Sequence, residues 1–170
     1  MRAVRTRYVV DGWGEGELWT AHGVVLAHDF EFERVAAPAE VDGLVARERR
    51  PGPGPLDPDA IAARVRAFLA GEDVSLADVP LDLSSTTPFQ RDIVDALRAV
   101  PRGEVVSYGE LAALAGYPRA GRAVGTVCAT NRFMFFVPCH RVVGSNGIGG
   151  YGSAGVGIKH RLLALEGTFL

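Results

Sequence analysis

A chain of 170 residues and 18.1 kDa, with 48% hydrophobic and 22% charged residues, is long enough to bury a sizeable core, and its composition excludes an intrinsically disordered protein. No apolar run approaches the roughly 20 residues of a membrane helix, and Met1-Arg2-Ala3-Val4-Arg5 carries no apolar signal core, so a cytoplasmic protein with reduced Cys128 and Cys139 is expected. The net charge of -2 hides an asymmetry: residues 1–88 hold nine Arg against 15 Asp and Glu, and residues 89–170 hold eight Arg and one Lys against five Asp and Glu. The basic half suits a polyanion partner and equally an uneven spread of surface charge.

In chain order, the first part reads as β. Tyr8-Val9-Val10, Gly16 to Trp19, Val24 to Ala27 and Phe30 to Glu33 are short apolar or alternating runs, with turns at Gly14 and His22-Gly23. Arg50-Pro51-Gly52-Pro53-Gly54-Pro55 reads as a surface connection. Asp57-Pro58 opens a helix that places Ile61, Val65, Phe68 and Leu69 on one face and stops at Gly71. Val79 to Leu83 is a further extended candidate.

The second part reads as capped helices. Thr87-Pro88-Phe89-Gln90 and Ser107-Tyr108-Gly109-Glu110 are both capping boxes. The helix after Ser107 ends at Gly116, and Pro118 is predicted to start the next, running to about Ala129. Two short helices joined by Gly116-Tyr117-Pro118 fit a helix-turn-helix, and the same pattern occurs in helical cores. The second of them is rich in small residues: Ala120, Gly121, Ala123, Gly125, Thr126 and Ala129. That composition suits close packing against a neighbouring helix or close approach to a sugar-phosphate backbone. Phe133 to Val137 is predicted as a buried strand, and a last helix runs from about Val156 to Leu165, stopped by Gly167.

Cys139 follows this apolar run, between Pro138 and His140. At an unperturbed pKa near 8.5 only about 3% of a thiol is thiolate at pH 7, so a nucleophilic Cys139 needs help from a base. His140 can help only if the chain turns there, because neighbours on a strand face opposite ways. Cys128 has no His or Lys beside it in sequence and reads as packing. His22 and His28 have no cysteine partners nearby, and the glycine loop from Gly144 to Gly152 lacks a Gly-Lys-Ser/Thr signature, so neither a metal site nor a nucleotide cradle is expected.

The block Pro138-Cys139-His140-Arg141-Val142 resembles the hallmark of the O6-alkylguanine-DNA alkyltransferases (methylated-DNA–protein-cysteine methyltransferases). The resemblance runs over about residues 88–167, through Pro88-Phe89-Gln90, Gly103 to Tyr108, Leu111-Ala112, Arg122 to Gly125, Asn131, Gly150-Tyr151 and Leu162 to Gly167. It implies an α+β fold: a small N-terminal mixed β-sheet and helix domain, residues 1–84, then a mostly helical DNA-binding and alkyl-acceptor domain with a helix-turn-helix, residues 85–170. It implies a single-use repair protein that moves the alkyl group of O6-alkylguanine, with O4-alkylthymine a further candidate, onto its own cysteine after minor-groove binding and base flipping. Cys139 is then the acceptor, His140 the base acting through a water, Glu166 its orienting partner, and Asn131 the brace of the turn. Tyr108 rotates the target phosphate and donates a proton toward the departing guanine, and Arg122 is the finger inserted into the duplex, on a helix whose Ala123 and Gly125 lie against the DNA. Tyr151, Met134, Val142, Gly152 and Ser153 line the base pocket. Double-stranded DNA bearing the lesion is the partner, the protein is a monomer away from membranes, and no cofactor is used.

Three departures stand out. The prolines the family carries after the asparagine are absent from Arg132-Phe133-Met134, which implies a more flexible pocket wall. The loop from Val143 to Tyr151 is about one residue short, and the N-terminal half lacks the cysteines of the zinc site of some relatives, so no zinc is expected. The alternative is a non-enzymatic lesion binder of the alkyltransferase-like kind; these usually carry Trp where this chain has Cys139. A thiol-sensing helix-turn-helix regulator would need a sensor domain, and a cysteine hydrolase would need a second catalytic dyad; neither stands out.

Overall fold

The computed structural model describes residues 3–33 and 57–170; the Pro-Gly connection of residues 50–55 lies outside them. Three antiparallel strands, β1 (Val4–Val10), β2 (Gly14–Ala21) and β3 (Val24–Phe32), form a meander in the order β1-β2-β3. The two segments expected at 24–27 and 30–33 are one strand, because the β2–β3 ladder runs past His28 and Asp29 without a break. His22 and Gly23 both take positive φ, 49° and 76°, as a tight hairpin turn needs. Gly16 faces Tyr8 across the β1–β2 ladder, and a Cβ there would stand 2.2 Å from the Tyr8 ring. Glycine at this position is what admits Tyr8 to the core.

Helix α1 (Pro58–Leu69) begins as expected, with Asp57 accepting from the Asp59 amide, and buries Ile61, Val65, Phe68 and Leu69. The expected extended piece survives as a bridge of Leu81 to Val25. Helix α2 (Pro88–Arg98) and helix α3 (Tyr108–Leu114) both carry complete capping boxes, from Thr87 with Gln90 and Ser107 with Glu110. Strand β4 (Val106–Ser107) pairs in parallel with β5 (Val142–Val143). Helix α5 (Gly155–Leu165) ends as expected before Gly167, at φ 82°. The architecture is α+β, and one apolar cluster runs without interruption from Tyr8 and Leu18 through Phe68 and Ile93 to Leu162.

Two expectations are corrected. Helix α4 is Gly121–Ala129, three residues later than Pro118 suggests. Arg119 takes a φ of 75° and the Ala120 amide closes a turn onto the Tyr117 carbonyl, so Pro118 serves the turn and not the helix. Phe133 to Val137 is not a strand but a tight turn, in which Phe135 has φ 70° and the Val137 amide donates to the Phe133 carbonyl. A short apolar run shows burial without showing conformation, and Phe133, Phe135, Phe136 and Val137 are indeed buried.

That turn is tied to the sheet. The His28 amide donates to the Arg132 carbonyl (2.9 Å), and His28 Nδ1–H donates to the Met134 carbonyl (2.8 Å). With Nδ1 protonated, Nε2 accepts from the Tyr8 hydroxyl (2.6 Å). Burial, opposed by the Met134 hydrogen bond, holds the His28 pKa down to about 4. Between about pH 6.5 and 4 the unfolded chain therefore binds a proton at His28 that the fold excludes. Stability should fall by up to about 3 kcal/mol as pH drops through that window and then level off. Chemical denaturation against pH checks this: His28→Gln should flatten the slope, and an unchanged slope would assign the acid sensitivity elsewhere.

Candidate active site

Pro138 and the 3₁₀ turn Cys139–Arg141 supply the change of direction that the sequence demands. The Cys139 amide donates to the Val137 carbonyl (2.8 Å) and the Arg141 amide to the Pro138 carbonyl (2.9 Å). Consecutive side chains on such a turn diverge by about 120° and not 180°, so Cys139 and His140 both point into the interior. His140 is fully buried and Cys139 nearly so.

Asn131 holds the segment from below. Its Nδ2 donates to the Val137 carbonyl (3.1 Å) and to Cys139 Sγ (3.4 Å), and its Oδ1 accepts from the Phe133 amide (2.8 Å). Asn131 thus links both ends of the turn to the thiol.

His140 Nε2 lies 2.8 Å from Glu166 Oε1. Arg141 grips the same carboxylate through Nε (3.0 Å to Oε2) and Nη2 (2.7 Å to Oε1), and its Nη1 donates to the Val100 carbonyl. Burial opposes ionisation of Glu166, but the hydrogen bonds from His140 and Arg141 outweigh it and bring its pKa down to about 2. An ionised carboxylate only accepts, so Nε2 carries the ring proton. Nδ1 then presents its lone pair, buried and without a hydrogen-bond partner. Burial holds the His140 pKa below its ordinary value against the pull of Glu166, which keeps the ring neutral and basic at Nδ1.

Two residues of the site escape the sequence reading. Lys159, on α5, is fully buried; its Nζ donates to the carbonyls of Val142 (2.5 Å) and Gly150 (3.0 Å). It makes no ion pair among the described residues, and its charge favours the thiolate at both Cys139 and Cys128. It also fastens the glycine loop to β5. Cys128, expected as packing, is half-buried on α4, and each of the two cysteines bears on the other's ionisation. Their mutual influence, together with burial, pushes the Cys139 thiol up; the same influence and the Lys159 charge draw Cys128 down against its own burial.

Tyr108, the first residue of α3, lies half-buried near both thiols; burial first, then Cys128 and Cys139, keeps its hydroxyl protonated well above neutral pH. Tyr151 is likewise held neutral by burial and by Cys139. Val142 is fully buried in β5, Met134 is half-buried with its carbonyl on His28, and Gly152 and Ser153 are exposed.

The small residues of α4 divide by face. A Cβ on Gly121 would lie 3.3 Å from the Gly109 amide nitrogen, so this glycine serves close packing against α3, whereas one on Gly125 would make only an ordinary contact, 3.9 Å from Tyr108 Cε1. Arg122, Ala123 and Thr126 are exposed on the outer face, and Arg122 makes no ion pair among the described residues. No group of three or more His, Cys, Asp or Glu among the described residues is placed to hold a metal ion.

Similarity to known proteins agrees with this layout. The family described as 6-O-methylguanine DNA methyltransferase, DNA binding domain, matches residues 88–168. A methylated-DNA–protein-cysteine methyltransferase of Salmonella typhimurium is 42% identical over 115 residues, covering 67% of this chain and 66% of the relative. One of Mycobacterium bovis is 45% identical over 114 residues, 65% of this chain and 67% of the relative. A crystal structure of Mycobacterium tuberculosis OGT in complex with DNA superposes with a TM-score of 0.71 at 33% identity, over 98% of this chain and 92% of that one. The O6-methylguanine-DNA methyltransferase of Pyrococcus kodakaraensis gives 0.64 at 26% identity over 98% and 100%. With this fold and this degree of identity shared with these relatives, the chain belongs to the 6-O-methylguanine DNA methyltransferase family.

Proposed function

We propose that this protein repairs DNA by transferring the alkyl group of O6-alkylguanine irreversibly to Cys139, once per molecule. The observation that carries the reading is the buried row Cys139, His140, Glu166, in which the one unpartnered ring nitrogen belongs to the residue next to the thiol. Residues 85–170 would bind the DNA and accept the alkyl group, with residues 1–84 as support. The protein would act as a cytoplasmic monomer. No helix among the described residues is long and apolar enough to cross a membrane.

The target oxygen lies inside the duplex, so the base must leave the stack, at a cost of a few kcal/mol. Arg122 on the outer face of α4 fills the vacated space and stays attracted to the phosphates, with Ala123 beside it against the backbone. The flipped base enters between the loop of Tyr151, Gly152 and Ser153 and the wall of Met134 and the Val142 backbone. Nδ1 of His140 takes the thiol proton through a water, Glu166, held in place by Arg141, stabilises the imidazolium, and Lys159 and Asn131 stabilise the thiolate. The sulfur attacks the alkyl carbon, the carbon–O6 bond breaks as the carbon–sulfur bond forms, and the departing guanine takes a proton from Tyr108. No step calls on a metal or organic cofactor.

The test is intact mass after mixing with a duplex holding one O6-methylguanine. A gain of about 14 Da, one methyl for one thiol proton, on the peptide of Cys139 and stopping at one per molecule is the expected result. Tight, lesion-selective binding with no adduct would point to a lesion binder instead. Arg122→Ala should slow transfer from duplex DNA by about tenfold or more while leaving reaction with a free O6-alkylguanine base nearly unchanged, as base flipping is needed only in the duplex. Equal losses on both substrates would remove Arg122 from the finger role.

A further inference from the structure

A general base works only if its ring and the carboxylate behind it are held still, because a misplacement of about 1 Å can cost a reaction about a hundredfold. Two surfaces hold the His140 ring. Its Nε2–H donates to Glu166, the residue that closes α5, and its ring lies against Phe68 of α1, with centroids 6.0 Å apart. Both surfaces lead to one side chain. Arg102, half-buried in the connection between α2 and β4, donates through Nη2 to the carbonyl of Leu165 (2.9 Å), the residue before Glu166. Its guanidinium carbon stands 5.8 Å from the centroid of the Phe68 ring, a cation–π contact. The same guanidinium donates to the carbonyls of Gly71 (3.1 Å) and Glu72 (3.0 Å), just past the end of α1. Gly103 extends the contact: its carbonyl accepts from the Thr168 hydroxyl (2.9 Å), and a Cβ there would lie 3.3 Å from the Glu166 carbonyl oxygen.

We infer that Arg102 is a positioning residue for His140: it ties the end of α5 that carries Glu166 to the end of α1 that carries Phe68, and so fixes from both sides the ring that lies between them. This role rests on His140 serving Cys139 as the base of the proposed function. Arg102 forms no ion pair among the described residues, so its fork is spent on carbonyls and a ring face. A planar guanidinium reaches three carbonyls from one stem, which a single ammonium on a flexible chain does not match. Loosening this clamp frees the Leu165–Glu166 end of α5 and the Phe68 ring together. His140 then loses the fixed carboxylate that stabilises its imidazolium and the wall that sets its ring plane, and the base weakens while the DNA-facing surface of α4 stays as it was.

The experiment measures single-turnover transfer from the O6-methylguanine duplex by full-length Arg102→Met, Arg102→Lys and Arg66→Met proteins, well below their melting temperatures and across a range of pH. Arg66 is the control, because it makes the same kinds of contact elsewhere: a bond to the Val9 carbonyl (3.1 Å) and a cation–π contact with Tyr8 (5.4 Å). Arg102→Met should slow transfer at pH 7 by about tenfold with the duplex Kd unchanged, the mark of a group that acts only in the reaction. The deficit should shrink as pH rises and hydroxide takes over from a misaligned base. Arg102→Lys keeps a cation against Phe68, and should fold as the wild type does and give an intermediate rate and profile. Iodoacetamide labelling of Cys139, mapped by peptide, reads the same base without DNA. Its pH profile should move up in Arg102→Met and stay in place in Arg66→Met. A lower melting temperature with wild-type transfer and labelling profiles would make Arg102 a structural tether and overturn the role, and so would an equal shift in Arg66→Met. A wild-type protein that labels at Cys139 but never takes up a methyl group would overturn the proposed function, and the labelling profiles would still decide the role of Arg102.

Discussion

Cys139→Ala should abolish alkyl uptake altogether while leaving affinity for a lesion-bearing duplex within about tenfold, or about 1.4 kcal/mol. The two halves of this expectation have separate structural origins. Uptake needs a nucleophile at one point, on the residue next to His140 in the turn and under the Asn131 amide. Cys128 does not replace it, because the Asn131 side chain donates to the Cys139 sulfur, and Cys128 lies on α4, outside the turn that carries His140. Binding depends on the outer face of α4, where Arg122 and Ala123 are exposed, and the buried thiol contributes nothing to that surface. Removing one sulfur from a close-packed position costs roughly 1 kcal/mol of stability, too little to unfold the domain. Mass spectrometry and a binding titration on the same preparation separate the two. Loss of binding by a folded Cys139→Ala protein would contradict the assignment, and so would a methyl adduct on Cys128.

Lys159→Met should slow transfer by at least about tenfold while leaving the melting temperature level or higher. Lys159 is a fully buried cation facing carbonyl oxygens and sulfur, with no carboxylate partner among the described residues. Burial draws its pKa down, which reports what keeping it charged costs the fold. Replacing such a charge by an apolar group of similar length is often neutral or stabilising, and Met keeps the stem in its slot. The loss falls on the reaction, because the thiolate of Cys139 gives up its buried counter-charge. The rate should recover partly at higher pH, where the thiol ionises unaided. A lower melting temperature with transfer unchanged at every pH would make Lys159 a purely structural tether of the glycine loop.

Much of this was legible in the sequence where the chemistry is local. Thr87-Pro88-Phe89-Gln90 and Ser107 to Glu110 contain their own hydrogen-bond partners, so both helix starts could be read without knowing the fold. Cys139, His140, Asn131, Tyr108 and Glu166 were legible through the resemblance, and the structure brings all five together. Phe133 to Val137 was misread because burial and strand character look alike over five residues. Pro118 misled because a proline that starts a helix and one that shapes a turn leave the same mark, and only the positive φ of Arg119 separates them. Arg141 lay inside the hallmark block, yet its bidentate hold on Glu166 spans 25 positions and no local pattern encodes it. Lys159 had one faint signal. It is the single lysine in a chain whose 17 other basic residues are arginines, and a compact ammonium suits a sealed slot between two carbonyls where a guanidinium does not.

The turn after Asn131 lacks the prolines that would stiffen it through the chain itself. Its shape is imposed from outside, by His28 of β3 through the Arg132 and Met134 carbonyls and by Arg132 reaching the Asp82 carbonyl. A proline constrains a segment wherever the segment goes, whereas these bonds exist only while the sheet is docked. The two halves of this protein are therefore not interchangeable parts: a chimera that kept residues 85–170 but borrowed another N-terminal unit would inherit the acceptor cysteine without the frame that shapes the wall beside it.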